Sequence, residues 1–223
     1  MTNSKIKHIL KHKYFFLISL YFMTTSKKVT LPDHDKLFQS IDDSFGLKDI
    51  KTHILVFGPD KASKQPGSKL RKYIIKKCKE DKLNVVLAEH DEIQKHYTKI
   101  LGPIYDLCKM EYHLAIEAYK NHGYDLIDGI ILIPDSAGSL IELGMFVIEE
   151  KIHSKMLILF NDEYKNKIKN NFVGKGAKQS YDNGHAMTRI IDYKDFDNSW
   201  IEVKNFLTLI KSNKIWRKWK KHI

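Results

Sequence analysis

The thirty-three residues from Asp128 to Phe160, DGIILIPDSAGSLIELGMFVIEEKIHSKMLILF, constrain the fold more than any other part of the chain. Gly129 to Pro134 form an apolar run too short for a helix and bounded by a turn, which reads as a buried parallel strand. Asp135-Ser136-Ala137-Gly138-Ser139 has the composition of a tight turn opening onto a helix. Ser139 is a natural N-cap, and Glu142, three residues on, completes an S-x-x-E capping pattern. Leu140, Ile141, Leu143, Met145, Phe146, Val147 and Ile148 leave this helix apolar on nearly all sides, so it is expected to lie buried. Glu149-Glu150-Lys151 end it, and Lys155 to Phe160 supply the next strand. The stretch is one βαβ unit, with its loop at the carboxyl end of the sheet, where open parallel sheets bind ligands.

Glu142 admits two readings. It either returns a hydrogen bond to the backbone of Ser139 as half of a capping box, or stands as a catalytic carboxylate in the crevice above the sheet. In the second reading, backbone N–H groups at Gly138 and Ser139 make a bed for phosphate or an oxyanion. The run D-G-x4-P-D-S-x-G-S-x-x-E-L-G over residues 128–144 resembles the nucleoside 2-deoxyribosyltransferases. It is also similar to the wider Rossmann-like group of nucleotide N-glycosidases, which includes the cytokinin-activating phosphoribohydrolases with their P-G-G-x-G-T-x-x-E loop. Within that group it most resembles deoxyribosyltransferase-like effectors encoded beside bacterial retrons, where P-[DE]-S-x-G-S-x-x-E-L-G-x-F occurs. The resemblance covers residues 128–146 closely and 53–175 in pattern.

That resemblance implies an α/β, flavodoxin-like fold: a mostly parallel sheet of about five strands with helices on both faces. It implies cleavage or transfer at the N-glycosidic bond of a nucleoside, nucleotide or NAD-like molecule, without a cofactor. Glu142 matches the glutamate that attacks the sugar's anomeric carbon. Asp128 and Glu111 are its expected helpers, orienting sugar hydroxyls or tuning Glu142. The chain departs from the transferases in carrying Ser136 six residues before that glutamate, where they often carry aspartate; Asp135 is one position off. A homo-oligomer and a toxin-like role in antiphage defence are further implications.

Length fits one well-buried domain. Cys78 and Cys108 make neither a disulfide framework nor a metal motif, so a reducing cytoplasm is expected, with both thiols in the core. The net charge of +11 is unevenly spread. Residues 1–28 hold six lysines and no acid, and 204–223 hold six lysines and Arg217 with no acid, leaving 29–203 at −2. The expected organisation is a basic and apolar extension over 1–50, the catalytic domain over 51–213, and a basic aromatic tail over 214–223. The apolar run Tyr14–Met23 is far short of the ~20 residues that span a bilayer. Its basic start and short apolar run resemble a signal peptide, but lacking an A-x-A cleavage site it reads first as a non-cleaved tail or an extension preceding a start at Met23, with membrane association and secretion as the alternatives.

HILVF (His53–Phe57) reads as the first strand, LNVVLA (Leu83–Ala88) as the second, TRIIDY (Thr188–Tyr193) as the last, and Ser199-Trp200 as the opening of a final helix. The loop Gly58 to Ser68 fits neither G-x4-G-K-[ST] nor G-x-G-x-x-G. By position it is nonetheless a phosphate or ribose site, with Gly58, Ser68 and Arg71 as candidates to hold an anionic group. Glu89 at the end of the second strand is a candidate partner for a sugar hydroxyl. The triplet Glu89-His90-Asp91 with His96 fits no standard zinc spacing, so no metal is expected. Glu111 lies on the expected helix Pro103–Lys120. Asn161–Asn171 reads as a solvated loop. In the tail, Trp216 and Trp219 alternate with cations, which suits nucleic acid or a nucleoprotein partner and equally a membrane surface. Two rival functions stand beside the enzyme: a nucleotide-signal sensor using the same crevice, and a scaffold using the basic tail.

Overall fold

A computed structural model describes residues 51–91, 93–95, 127–165 and 176–220, with side chains to residue 216. All lie in the second of the two units into which the chain divides, Asp49–Ile223. Its strands are β1 (His53–Phe57), β2 (Asn84–Val86), β3 (Gly129–Leu132), β4 (Met156–Asn161) and β5 (Met187–Ile191). They form one parallel sheet in the order β2-β1-β3-β4-β5. Leu55 stands opposite both Val86 and Ile130, and Ile131 opposite Leu157. Five described helices accompany it: α1 (Pro66–Glu80), α2 (Ala137–Phe146), α3 (Glu150–His153), α4 (Gln179–Asn183) and α5 (Phe196–Lys220).

The unbroken apolar runs of β1, β3 and β4 follow from burial on both faces, since successive side chains point to opposite sides. Ile54, Val56, Ile131, Leu157 and Leu159 pack with Leu70, Ile74 and Cys78 of α1 and with Val203, Phe206 and Ile210 of α5. Leu55, Phe57, Ile130, Leu132, Ile158 and Phe160 share the other core with Leu143, Phe146, Ile152 and Tyr181. The protein is therefore an α/β Rossmann-like domain with the flavodoxin-type strand order. From β1 the chain passes to β2 on one side, while from β3 it passes to β4 on the other. The carboxyl ends of β1 and β3 thus flank the topological switch point, where this architecture leaves its crevice.

Several boundaries differ from the expected ones. Asp195 rather than Ser199 starts α5: its side chain accepts the Asn198 N–H at 3.0 Å, so the helix begins three residues earlier. Buried Ser199 instead donates to the Asp195 carbonyl at 2.7 Å. α2 ends at Phe146 and is not buried all round, because Leu140 and Ile141 are 37 and 52% exposed; Ile148, expected within it, lies beyond its end and is 73% exposed. Burial pushes the Cys78 thiol up to about 12, making it a core group rather than a nucleophile. Among the described residues, no helix is long and apolar enough to cross a membrane. Glu111, His96, Cys108, the expected helix Pro103–Lys120 and the extension 1–50 lie outside the described residues.

Candidate active site

The carboxyl edge is built from the turns that follow β1, β3 and β4. After β1 the backbone turns at Gly58, whose φ of +151° only glycine adopts readily. A Cβ there would lie 3.1 Å from the Ile133 Cβ. After β3, Ser136 caps α2: its Oγ accepts the Ser139 N–H at 3.2 Å. Ser139 Oγ in turn accepts the N–H groups of Asp135 at 3.0 Å and Ser136 at 2.9 Å.

This reciprocal serine box corrects the expected Ser139–Glu142 box. The cap stands three residues earlier, and the N-terminal duty assigned to Glu142 is performed by Ser139. Ser139 itself is buried, and both its N–H and its hydroxyl are engaged, so it has nothing to offer a ligand. The expected anion bed therefore shifts from Gly138 and Ser139 to the exposed first turn, Ala137 and Gly138. A Cβ on Gly138 would meet nothing nearer than Ser136 Oγ, 4.0 Å away. Glu142 follows in the second turn of α2 and is 7% exposed.

Asp135 binds the two central loops together. Its Oδ2 accepts the Gly67 N–H at 2.7 Å, at the N-terminal turn of α1 where a phosphate would otherwise sit. Burial raises the pKa of its carboxyl; the Gly67 N–H opposes this and the charge of Glu163 reinforces it. A Cβ on Gly67 would fall 2.6 Å from both Cβ and Oδ2 of Asp135. Gly67→Ala is accordingly expected to unseat Asp135 and cost about 1–3 kcal/mol, seen as a lower Tm. An unchanged Tm would show that the two loops are not joined there.

Ser68 and Arg71 are braces of the β1 loop rather than ligand groups in this structure. The Ser68 hydroxyl donates to the Asp60 carbonyl at 2.7 Å. Arg71 is buried, giving NH1 to the Pro59 carbonyl at 3.1 Å and NH2 to the Val56 carbonyl at 2.9 Å and to Glu89 at 3.0 Å. Burial, the largest single influence, would raise the Glu89 pKa, but the Arg71 guanidinium, a hydrogen bond from Glu89's own backbone and Lys61, 3.3 Å away, together outweigh it and lower the pKa. A carboxylate held below its ordinary 4.5 stabilises the fold above that pH, and the contribution drains away as pH falls through 4.5 to the lower folded value. Glu89→Gln is thus expected to lower Tm at neutral pH, with the gap to wild type closing as pH falls below 4.5. A gap that widened on acidification would refute the Arg71 pairing.

Asp128 is not at this edge. It precedes β3, and at ~3.3 Å per strand residue it lies about 20 Å from Asp135, at the amino edge of the sheet. There its Oδ2 accepts the His53 N–H at 2.8 Å and Lys214 Nζ at 2.7 Å. It cannot orient a sugar beside Glu142.

Two residues on the carboxyl edge escaped the sequence reading. Asn161 ends β4, buried, its Oδ1 accepting the Glu163 N–H at 3.3 Å. Burial raises the Tyr164 pKa, with the charges of Asp135 and Glu163 adding to it, so all three share one neighbourhood. The signal was a polar residue ending an apolar run, the same that marks Asp135. Among the described residues, no cluster of three or more His, Cys, Asp or Glu side chains is arranged to hold a metal.

Fold and edge together define a Rossmann-like domain whose switch-point edge carries acidic side chains and a serine-capped helix. Residues 67–222, more than two thirds of the chain, match the family model described as STM3845 retron effector protein, and the chain belongs to that family. The match takes in Asp135, Glu142 and the basic C-terminus, and begins after β1. No curated protein matches the chain.

Proposed function

We propose that this retron effector breaks or transfers the N-glycosidic bond of a nucleoside, nucleotide or NAD-like molecule, with Glu142 as the reacting carboxylate. One observation carries the reading: a carboxyl group is held, nearly buried, in the second turn of the switch-point helix although serines already perform the capping. Burying a carboxylate carries a desolvation cost that its contacts must offset; its place on the switch-point helix is what suits it to meet a sugar ring. As the base leaves, positive charge develops on the anomeric carbon, and Glu142 either attacks that carbon or stabilises the oxocarbenium ion. Asp135, on the loop that leads into the same helix, would hydrogen-bond the departing base or a sugar hydroxyl. The first-turn N–H groups of α2 would receive a phosphate or sugar oxygen. Membership of the family supports an effector role in antiphage defence; depletion of a nucleotide pool is the form that role takes here. A second copy of the chain is the natural cover for Leu140, Ile141 and Ile148.

The test is release of free base from NAD and from ribo- and deoxyribonucleosides, followed by chromatography for wild type and Glu142→Ala. Wild-type release that the variant lacks is expected. Equal release by both would leave Glu142 outside the chemistry, and tight ligand binding without any release would favour the sensor.

A further inference from the structure

α2, which carries Glu142, has little intrinsic reason to hold its shape. It is ten residues long and contains Gly144. Isolated helices shorter than about 12–15 residues are marginal in water, and an interior glycine weakens them further. Its amino end is closed by the Ser136–Ser139 box. At the other end, the carbonyls of the last turn need partners from outside the helix. Two of them, Leu143 and Phe146, lie on one face and are met by side chains from later in the chain. The Tyr181 hydroxyl of α4 donates to the Leu143 carbonyl at 2.6 Å. His153 Nε2, at the end of α3, lies 3.0 Å from the Phe146 carbonyl. A carbonyl only accepts, so Nε2 carries the ring hydrogen. Nδ1 is buried with no hydrogen-bond partner among the described residues.

The two side chains brace each other. Both are fully buried, with ring centroids 4.6 Å apart. Gly184, just past α4, makes room for the imidazole: a Cβ there would overlap Nδ1 and lie 2.7 Å from Cγ. What the Tyr181 hydroxyl adds over a phenylalanine ring is direction, because the Leu143 carbonyl already accepts the Val147 N–H at 3.2 Å. Glu142 immediately precedes Leu143, so it stands between the serine box and this clamp. We propose that Tyr181 and His153 are positioning residues, fixing the carboxyl end of α2 so that the Glu142 carboxylate keeps one orientation. The effect on rate rests on Glu142 being the reacting group. A displacement of about 1 Å at a reacting group costs about 10²-fold, so slight slack at Leu143 becomes a loss of turnover.

The experiment compares wild type, Tyr181→Phe, His153→Leu and His153→Gln as full chains. One readout is base release from NAD per folded molecule. The other is the Glu142 carboxyl resonance, in protein whose glutamates are isotopically labelled at the side-chain carboxyl carbon, assigned by its absence from Glu142→Gln. Tyr181→Phe is expected to lower kcat about 10- to 100-fold with KM within about twofold of wild type, and to move the resonance. His153→Leu should do likewise, while His153→Gln, whose amide can still donate to Phe146, should recover most of the rate. A merely structural pair would lower Tm but leave kcat and the resonance at their wild-type values, and that result would overturn the proposal. A wild type that released no base would end the catalytic reading alone. A resonance moved by Tyr181→Phe would then still support the clamp, and an unmoved one would sink it.

Discussion

A Glu142→Gln protein is expected to release base at least ~10³-fold more slowly than wild type while melting no lower. The two readouts separate the roles this residue can have. A nucleophile needs its charge, and the amide keeps shape and hydrogen-bonding reach but cannot bond to the anomeric carbon or balance an oxocarbenium ion. The fold should not miss that charge. Glu142 is 7% exposed, so neutralising it removes a desolvation cost of several kcal/mol in exchange for whatever contacts the carboxylate makes. Glu142→Asp supplies the intermediate case: the charge remains, withdrawn by one methylene, and a positional loss of about 10²-fold follows. A Gln variant that kept its rate would end the proposal. One that lost rate and Tm together would make Glu142 an internal anchor, with activity lost through the fold.

How much of this was readable in the chain turns on which physical effect each residue reports. β1 and the β3–α2–β4 unit were legible because strands buried on both faces must be short and apolar, and Ile54–Phe57 and Gly129–Leu132 leave little alternative. The cap was misread because two patterns overlap, Ser136-x-x-Ser139 and Ser139-x-x-Glu142. Only backbone conformation, with Ser136 extended at ψ 164°, selects the first. Exposure of Ile141 and Ile148 was not legible, since apolarity states what a residue prefers and not what stands beside it. Arg71 looked like an anion holder because it follows a loop; its length lets it reach back to the carbonyls of Val56 and Pro59 instead. Asp128 was misassigned despite a signal in plain view. A residue before a parallel strand lies at the amino edge, and one after it at the carboxyl edge.

Asp128→Ala is expected to destabilise the domain by about 3 kcal/mol, because it leaves a seated lysine without its counter-charge. Asp128 is 5% exposed and pairs with Lys214 at 2.7 Å while also accepting the His53 N–H at 2.8 Å. Removing it therefore orphans a cation and a strand-end donor together, and in a domain of this size Tm should fall by about 6–12 °C. Lys214→Met should cost a comparable amount, by burying the carboxylate without its partner. The double variant should cost distinctly less than the sum, a coupling that independent residues do not show. Because the clasp lies at the amino edge, KM for any substrate should stay at the wild-type value in the folded fraction. If Asp128→Ala melted like wild type and instead raised KM, the residue would belong to the sugar site, and the edge assignment would fall with it.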